Sequence, residues 1–170
     1  EASLIQPPRA RMMGLAAFEW VRDNPLFVIL ALFVVYRIVA QAGPFPEAGG
    51  RVVTIKTDSD WQASMAAAKD KLLVADFYAT WCPPCRSAAP VFGQLSTEFP
   101  DCDFVKCDVD VCSAIARREG IQAMPTFKIY QQGTCVQTIQ GFQKGALVAA
   151  LAERGARRDL SAAEAKTKAS

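Results

Sequence analysis

Hydrophobic and polar positions divide this chain into two stretches of different character, with the change near residue 50. In the first stretch, residues 26–36 form an unbroken apolar run (LFVILALFVVY), and Ile38-Val39-Ala40 continues it past Arg37. Asn24 followed by Pro25 is a helix start, a cap and then a first-turn proline. Gly43-Pro44-Phe45-Pro46 is a stop. A helix over residues 25–42 would run about 27 Å at ~1.5 Å per residue, close to the ~30 Å hydrocarbon core of a bilayer. The pattern therefore predicts a single transmembrane helix over 25–42. A buried or interfacial helix and a signal-peptide core are the alternatives, kept open by the charge of Arg37, which lies near enough to the end to snorkel. Trp20 and Tyr36 fall where interfacial aromatics are expected. Within the N-terminal segment 1–24, residues 12–22 (MMGLAAFEWVR) read as a helix on a membrane surface or against a partner. Arginines flank both sides of the span, so charge does not set its orientation.

After a Pro/Gly linker at 43–50, the pattern becomes that of alternating strands and helices. Residues 52–55 read as a strand, and Ser59 with Gln62 as a capping box opening a helix to about Lys69. Residues 72–79 are apolar on both faces, as a central strand must be. A helix over 86–99 follows, with Pro90 in its interior as a kink. Residues 104–109 predict a strand, and Asp110 a cap for a short helix ending at Gly120. Strands at 125–130 and 135–139 flank Gln131-Gln132-Gly133-Thr134, a hairpin, and residues 143–154 form a last amphipathic helix. The order over 51–155 is βαβαβαββα, an α/β domain. Residues 156–170 are a polar Ala/Lys/Glu-rich tail with a weak capping box at Ser161 and Glu164, either solvated or docked as a helix.

Composition narrows the chemistry. The 170 residues suit one domain and an appendage. A net charge of +2 without a long basic run gives nucleic-acid binding little support. Histidine is absent, which removes histidine metal sites and Cys–His or Ser–His–Asp nucleophiles. Six cysteines are present, in a domain large enough not to need a disulfide framework. The first residue is Glu1, which leads us to expect that an initiator or targeting segment was removed.

Trp81-Cys82-Pro83-Pro84-Cys85 follows the central strand and opens the next helix. There, free N–H groups and the helix dipole favour negative charge, so a cysteine ionises readily and its thiolate is the reactive form. A Cys-x-x-Cys in a βαβ setting is a redox motif. Around it, residues 51–155 resemble a thioredoxin. The Pro-Pro spacer is similar to that of plant cytosolic thioredoxins and tryparedoxins, whereas most thioredoxins have Gly-Pro. Asp76 falls where the family keeps a buried acid, and Lys106, in Lys106-Cys107-Asp108-Val109-Asp110, where it keeps a buried lysine. Pro90 matches the helix-kinking proline, Met124-Pro125-Thr126 the cis-proline loop, and Gly141 a glycine near the active site.

The resemblance implies a thioredoxin fold, a central mixed sheet flanked by helices, here preceded by the transmembrane helix. Cys82 is expected to attack a target disulfide and Cys85 to resolve the mixed disulfide. Pro83 and Pro84 stiffen the first helical turn. Asp76, surrounded by apolar neighbours, should have a raised pKa and take the Cys85 proton, with Lys106 tempering the shift. Trp81 is expected as an apolar shelf beside Cys82. Met124, Pro125 and Gly141 complete a surface for an extended peptide.

No cofactor beyond the dithiol and no metal is expected. The implied partners are a protein disulfide substrate and a reductase donor, together with membrane lipid and other subunits of a membrane complex. The expected function is that of a membrane-anchored thiol–disulfide oxidoreductase within or beside such a complex. The alternative is an accessory subunit that uses the domain for docking. A mitochondrial inner membrane is the first expected location, and a thylakoid or bacterial plasma membrane the next. Cys102 and Cys107 lie five apart on or near one strand and point to opposite faces, so they do not easily bridge. Cys112 resembles an extra cysteine of animal thioredoxins and is a candidate regulatory thiol. Cys135 sits on the hairpin. All four read as free thiols, and their spacings do not fit structural zinc.

Overall fold

The computed structural model describes residues 24–41 and 43–161, in two compact units that divide between Pro44 and Phe45. The first unit contains α1, Pro25–Gln41, of 17 residues. The Asn24 carbonyl accepts from Phe27 N at 3.1 Å and Val28 N at 3.3 Å, so the predicted start is used. The helix is over before Gly43, because a residue preceding proline is steered out of the helical region. Seventeen residues cover only about 26 Å, and no helix among the described residues is long and apolar enough to cross a membrane. The transmembrane helix expected over 25–42 is thus not found. The expected interfacial segment at 12–22, Trp20 and the Ser161–Glu164 capping box lie outside the described residues.

The second unit follows the predicted order: β1 Val53–Ile55, α2 Asp58–Ala67, β2 Leu72–Tyr78, α3 Pro83–Glu98, β3 Cys102–Asp108, α4 Ser113–Arg118, β4 Thr126–Gln131, β5 Thr134–Gln140 and α5 Lys144–Glu153. The sheet runs β1-β3-β2-β4-β5. β1, β3 and β2 are parallel, while β4 is antiparallel to β2, and β5 to β4. It is the mixed, helix-flanked sheet that the resemblance implied. Gln132 and Gly133 turn the β4–β5 hairpin with φ of 50° and 77°, the pair of positive values that a two-residue turn of this hand requires.

All seven residues of β2 are buried, and they feed two cores. Leu72 and Val74 pack with Ala88, Phe92 and Leu95 of α3 and Leu147 and Leu151 of α5. Leu73, Ala75 and Phe77 pack with Trp61 of α2 and Ile115 of α4. Side chains alternate along a strand, so Asp76 belongs to the face that carries α3.

Local chemistry moves several boundaries. Thr57, not Ser59, caps α2: it is extended (φ −133°, ψ 162°), its hydroxyl accepts from Asp60 N, and the Asp60 carboxylate accepts from the Thr57 amide. Asp110 does not cap the short helix; Cys112 precedes α4, without a side-chain cap. α3 begins at Pro83 and β3 at Cys102, each earlier than the apolar pattern suggested.

The expected linker 43–50 ends in a strap across α3. A Cβ on Gly93 would lie 1.6 Å from the Ala48 carbonyl oxygen, and one on Gly50 (φ +66° at Gly49, +63° at Gly50) 2.1 Å from that of Gly93. Only glycine allows the two backbones to come so close. Ser96 Oγ fixes the crossing, accepting from Arg51 N at 2.8 Å and donating to the Gly93 carbonyl at 2.6 Å. At the other end, the residues just after 155 are held to the domain. Arg158 Nη2 lies 2.6 Å from Glu98 Oε2, a carboxylate that is 1% exposed, and Asp159 N donates to the Glu98 carbonyl at 2.7 Å.

Candidate functional site

Cys82 is the N-cap of α3. Its sulfur accepts from Cys85 N at 3.3 Å, and Pro83 and Pro84 occupy the first helical positions, where an N–H would have no partner in the helix. The strand β2 delivers the chain to this point, and its last residue Tyr78 and the following Ala79 cluster with Cys82 and Cys85, packed against by Phe45, Val109 and Met124. Cys82 and Cys85 form a disulfide, with Cα atoms 5.3 Å apart. Cys82 is 4% exposed and Cys85 not at all. When the pair is reduced, the N-terminal amides and dipole of α3 stabilise a thiolate at the cap position.

Asp76 lies on the same sheet face as α3. It is 3% exposed, its Oδ1 has no hydrogen-bond partner among the described residues, and burial pushes its pKa up to about 7, against a smaller lowering by Lys106. An orphaned buried carboxyl of this kind exchanges its proton near neutrality, the property a general acid–base needs. Lys106 is its register partner across β2 and β3. The lysine nonetheless gives its hydrogen bond to Glu47 Oε2, at 2.8 Å. It also lies 5.9 Å from the Tyr78 ring centroid. Burial, with help from nearby carboxylates, keeps the Tyr78 phenol protonated, its pKa pushed up to about 12.

The remaining sequence-derived residues surround the dithiol. The Met124–Pro125 peptide is cis, and Met124 touches the sulfur cluster. Gly141 has φ +74° and donates its amide to the Pro125 carbonyl at 2.8 Å. Trp81 is 64% exposed, so it is no core tryptophan. Its indole Nε1 donates to Asp110 Oδ2 at 2.8 Å, which holds the ring at the mouth of the site.

Three contributors escaped the sequence reading. Phe45 stacks on Tyr78 with centroids 4.8 Å apart, Glu47 takes the ammonium of Lys106, and Asp110 anchors Trp81. Phe45 and Glu47 sit in a Pro/Gly stretch without periodicity, where no sequence signal points to contacts with residues tens of positions away.

Cys102, Cys107, Cys112 and Cys135 are free thiols. Cys102 and Cys107 belong to opposite cores, so they do not pair. Burial pushes the Cys102 thiol up to about 12 and raises Cys107 as well, further helped by the neighbouring Cys112. Thiols so held are poor nucleophiles. Among the described residues there is no group of three or more His, Cys, Asp or Glu placed to hold a metal ion.

This arrangement has close counterparts. The Thioredoxin family model matches residues 52–153. Thioredoxin H3 of Arabidopsis thaliana is 42% identical over 106 residues, covering 61% of this chain and 90% of that relative. Thioredoxin-1 of Saccharomyces cerevisiae is 40% identical over 101 residues, covering 59% and 96%. Among solved structures, a thioredoxin from Nicotiana alata superposes with a TM-score of 0.60 at 38% identity, covering 65% of this chain and 96% of its own. A poplar thioredoxin h mutant does so at 0.63 and 32%, covering 66% and 89%. With the sulfurs at a helix cap, the buried acid behind them and a family match that spans both, the chain belongs to the thioredoxin family.

Proposed function

We propose that the domain reduces disulfides of protein targets through Cys82 as the attacking thiolate, Cys85 as the resolving thiol and Asp76 as the proton acceptor. Protein-disulfide reduction with a dithiol and no prosthetic group is the activity of this family. The residue roles are carried by one observation: Cys82 caps α3 while Asp76, unpartnered and buried, occupies the α3-facing side of the strand leading to it.

In the first step the Cys82 thiolate bonds to one sulfur of the target, the target S–S bond breaks, and the other target sulfur leaves as a thiolate that takes a proton. In the second, Asp76 accepts the Cys85 proton and the Cys85 sulfur attacks Cys82. The internal disulfide forms and the first target sulfur leaves. Two electrons pass to the target, and a reductase or small dithiol restores Cys82 and Cys85. Lys106 sets the field felt by Asp76. Trp81, Pro83, Pro84, Met124, Pro125 and Gly141 supply the peptide-facing rim, where an extended target strand finds backbone partners beside the sulfurs.

A Cys85→Ser chain tests the assignment of roles. Incubated with an oxidised protein target, it is expected to accumulate a mixed disulfide on Cys82, seen by intact mass and lost on reduction. Accumulation on any other cysteine, or none at all, would refute the order of attack.

A further inference from the structure

Lys106 is a buried cation with two carboxylates to choose from. Its side chain is 8% exposed, and Asp76 is its in-register neighbour. Its ammonium goes instead to Glu47 at 2.8 Å, a side chain that is 86% exposed. An ion pair with an exposed carboxylate requires desolvation of one partner only, whereas pairing with Asp76 would bury two charges.

Glu47 is brought there by the strap. Phe45, two residues earlier, stacks on Tyr78 and lies under the Arg86 guanidinium, 5.7 Å from its ring centroid. Three residues later the chain crosses α3 at Gly50 and Gly93, pinned by the Arg51 amide on Ser96. The strap precedes residues 52–153, the part that the family model matches.

We propose that Glu47 is a positioning residue for the dithiol reaction, holding the Lys106 ammonium away from Asp76 so that Asp76 is left to exchange its proton with Cys85. The proposal rests on the dithiol reading given above. Lys106 is the register partner of Asp76 on β3, Asp108 follows on the same face of β3 opposite Tyr78, and the β4 partner of Asp76 is the uncharged Phe127. Tyr78 stays protonated at neutral pH, as does Cys107 on the far face of β3. Among the described residues Lys106 is the charge that lowers Asp76 against its burial, and Glu47 is the ion-pair partner of that charge. Removing the Glu47 charge leaves the ammonium uncompensated, which favours ionised Asp76. Removing Lys106 does the opposite.

The test is the titration of the Asp76 carboxyl followed by carbon NMR in the full-length oxidised chain, without substrate. Glu47→Gln is expected to lower the midpoint, by less than the one to three pH units, roughly, that a nearby cation itself contributes. Lys106→Met is expected to raise it. In the Lys106→Met background, Glu47→Gln should then change nothing. The inflection in the pH profile of disulfide reduction should move with the midpoint of each variant. An unmoved or raised midpoint in Glu47→Gln overturns the proposal, and so does a shift that persists without Lys106. Because this midpoint is read with no target present, such a failure is distinct from failure of the reductase reading, which would show as turnover independent of Cys82.

Discussion

Asp76 opposes the fold that contains it. Its proton is held up to about pH 7 by burial, whereas an unfolded aspartate releases it near pH ~3.9. Between those values the folded chain binds the proton that the unfolded chain has lost, so stability falls as pH rises, by roughly 4 kcal/mol once both limits are passed. Asp76→Asn is thus expected to resist denaturant better than the parent at pH 8, with the gap closing towards pH 4. The same substitution should slow disulfide reduction about 100-fold, the lower bound for losing a general acid–base, and flatten the pH dependence near 7. A denaturation midpoint at pH 8 equal to or below the parent's would show that the carboxyl is not held as described. At this scale the sequence was informative wherever a residue's role depends on its immediate neighbours. The apolar run around Asp76 announced its burial, and the cysteine spacing announced the helix cap. Glu47, Phe45 and Asp110 act across gaps in sequence that no local pattern records.

Helix α3 is held over its second half by two segments outside the family-matched region. Over its middle passes the strap, at a distance that excludes any side chain on Gly93. Gly93→Ala is expected to cost about 2 kcal/mol in chemical denaturation, the usual range for forcing an extra methyl into a packed contact, and to loosen the Lys106–Glu47 pair with it. Near its end, Glu98 is buried and paired with Arg158. Arg158→Ala leaves that carboxylate without its cation, and unfolding should become easier by about 3 kcal/mol. No change in midpoint would show that the residues after 155 contribute nothing. Element order was legible because period-two and period-3.6 stretches alternate cleanly from residue 51 onward. Boundaries were less so. Caps were misplaced at Ser59 and Asp110 because several polar residues stood in line: the reciprocal Thr57–Asp60 box caps α2, and Asp110 is turned towards Trp81.

Across the whole molecule, the two units differ in how well their pattern could be read. The apolar run at 26–36 has no periodicity to separate a membrane span from a shorter apolar helix, and no helix among the described residues is long and apolar enough to cross a membrane. The domain, by contrast, announced both its fold and its chemistry, because a dithiol at a strand-to-helix junction imposes the same surroundings wherever it occurs. In the proposed reaction, electrons pass through Cys82. The most direct measurement is the initial rate at which the full chain, with a small dithiol as reductant, reduces a disulfide-bonded protein, compared with Cys82→Ser at equal concentration. Sustained turnover is expected of the parent and, for the variant, only the rate of the dithiol alone. Equal rates for the two chains would contradict that reaction.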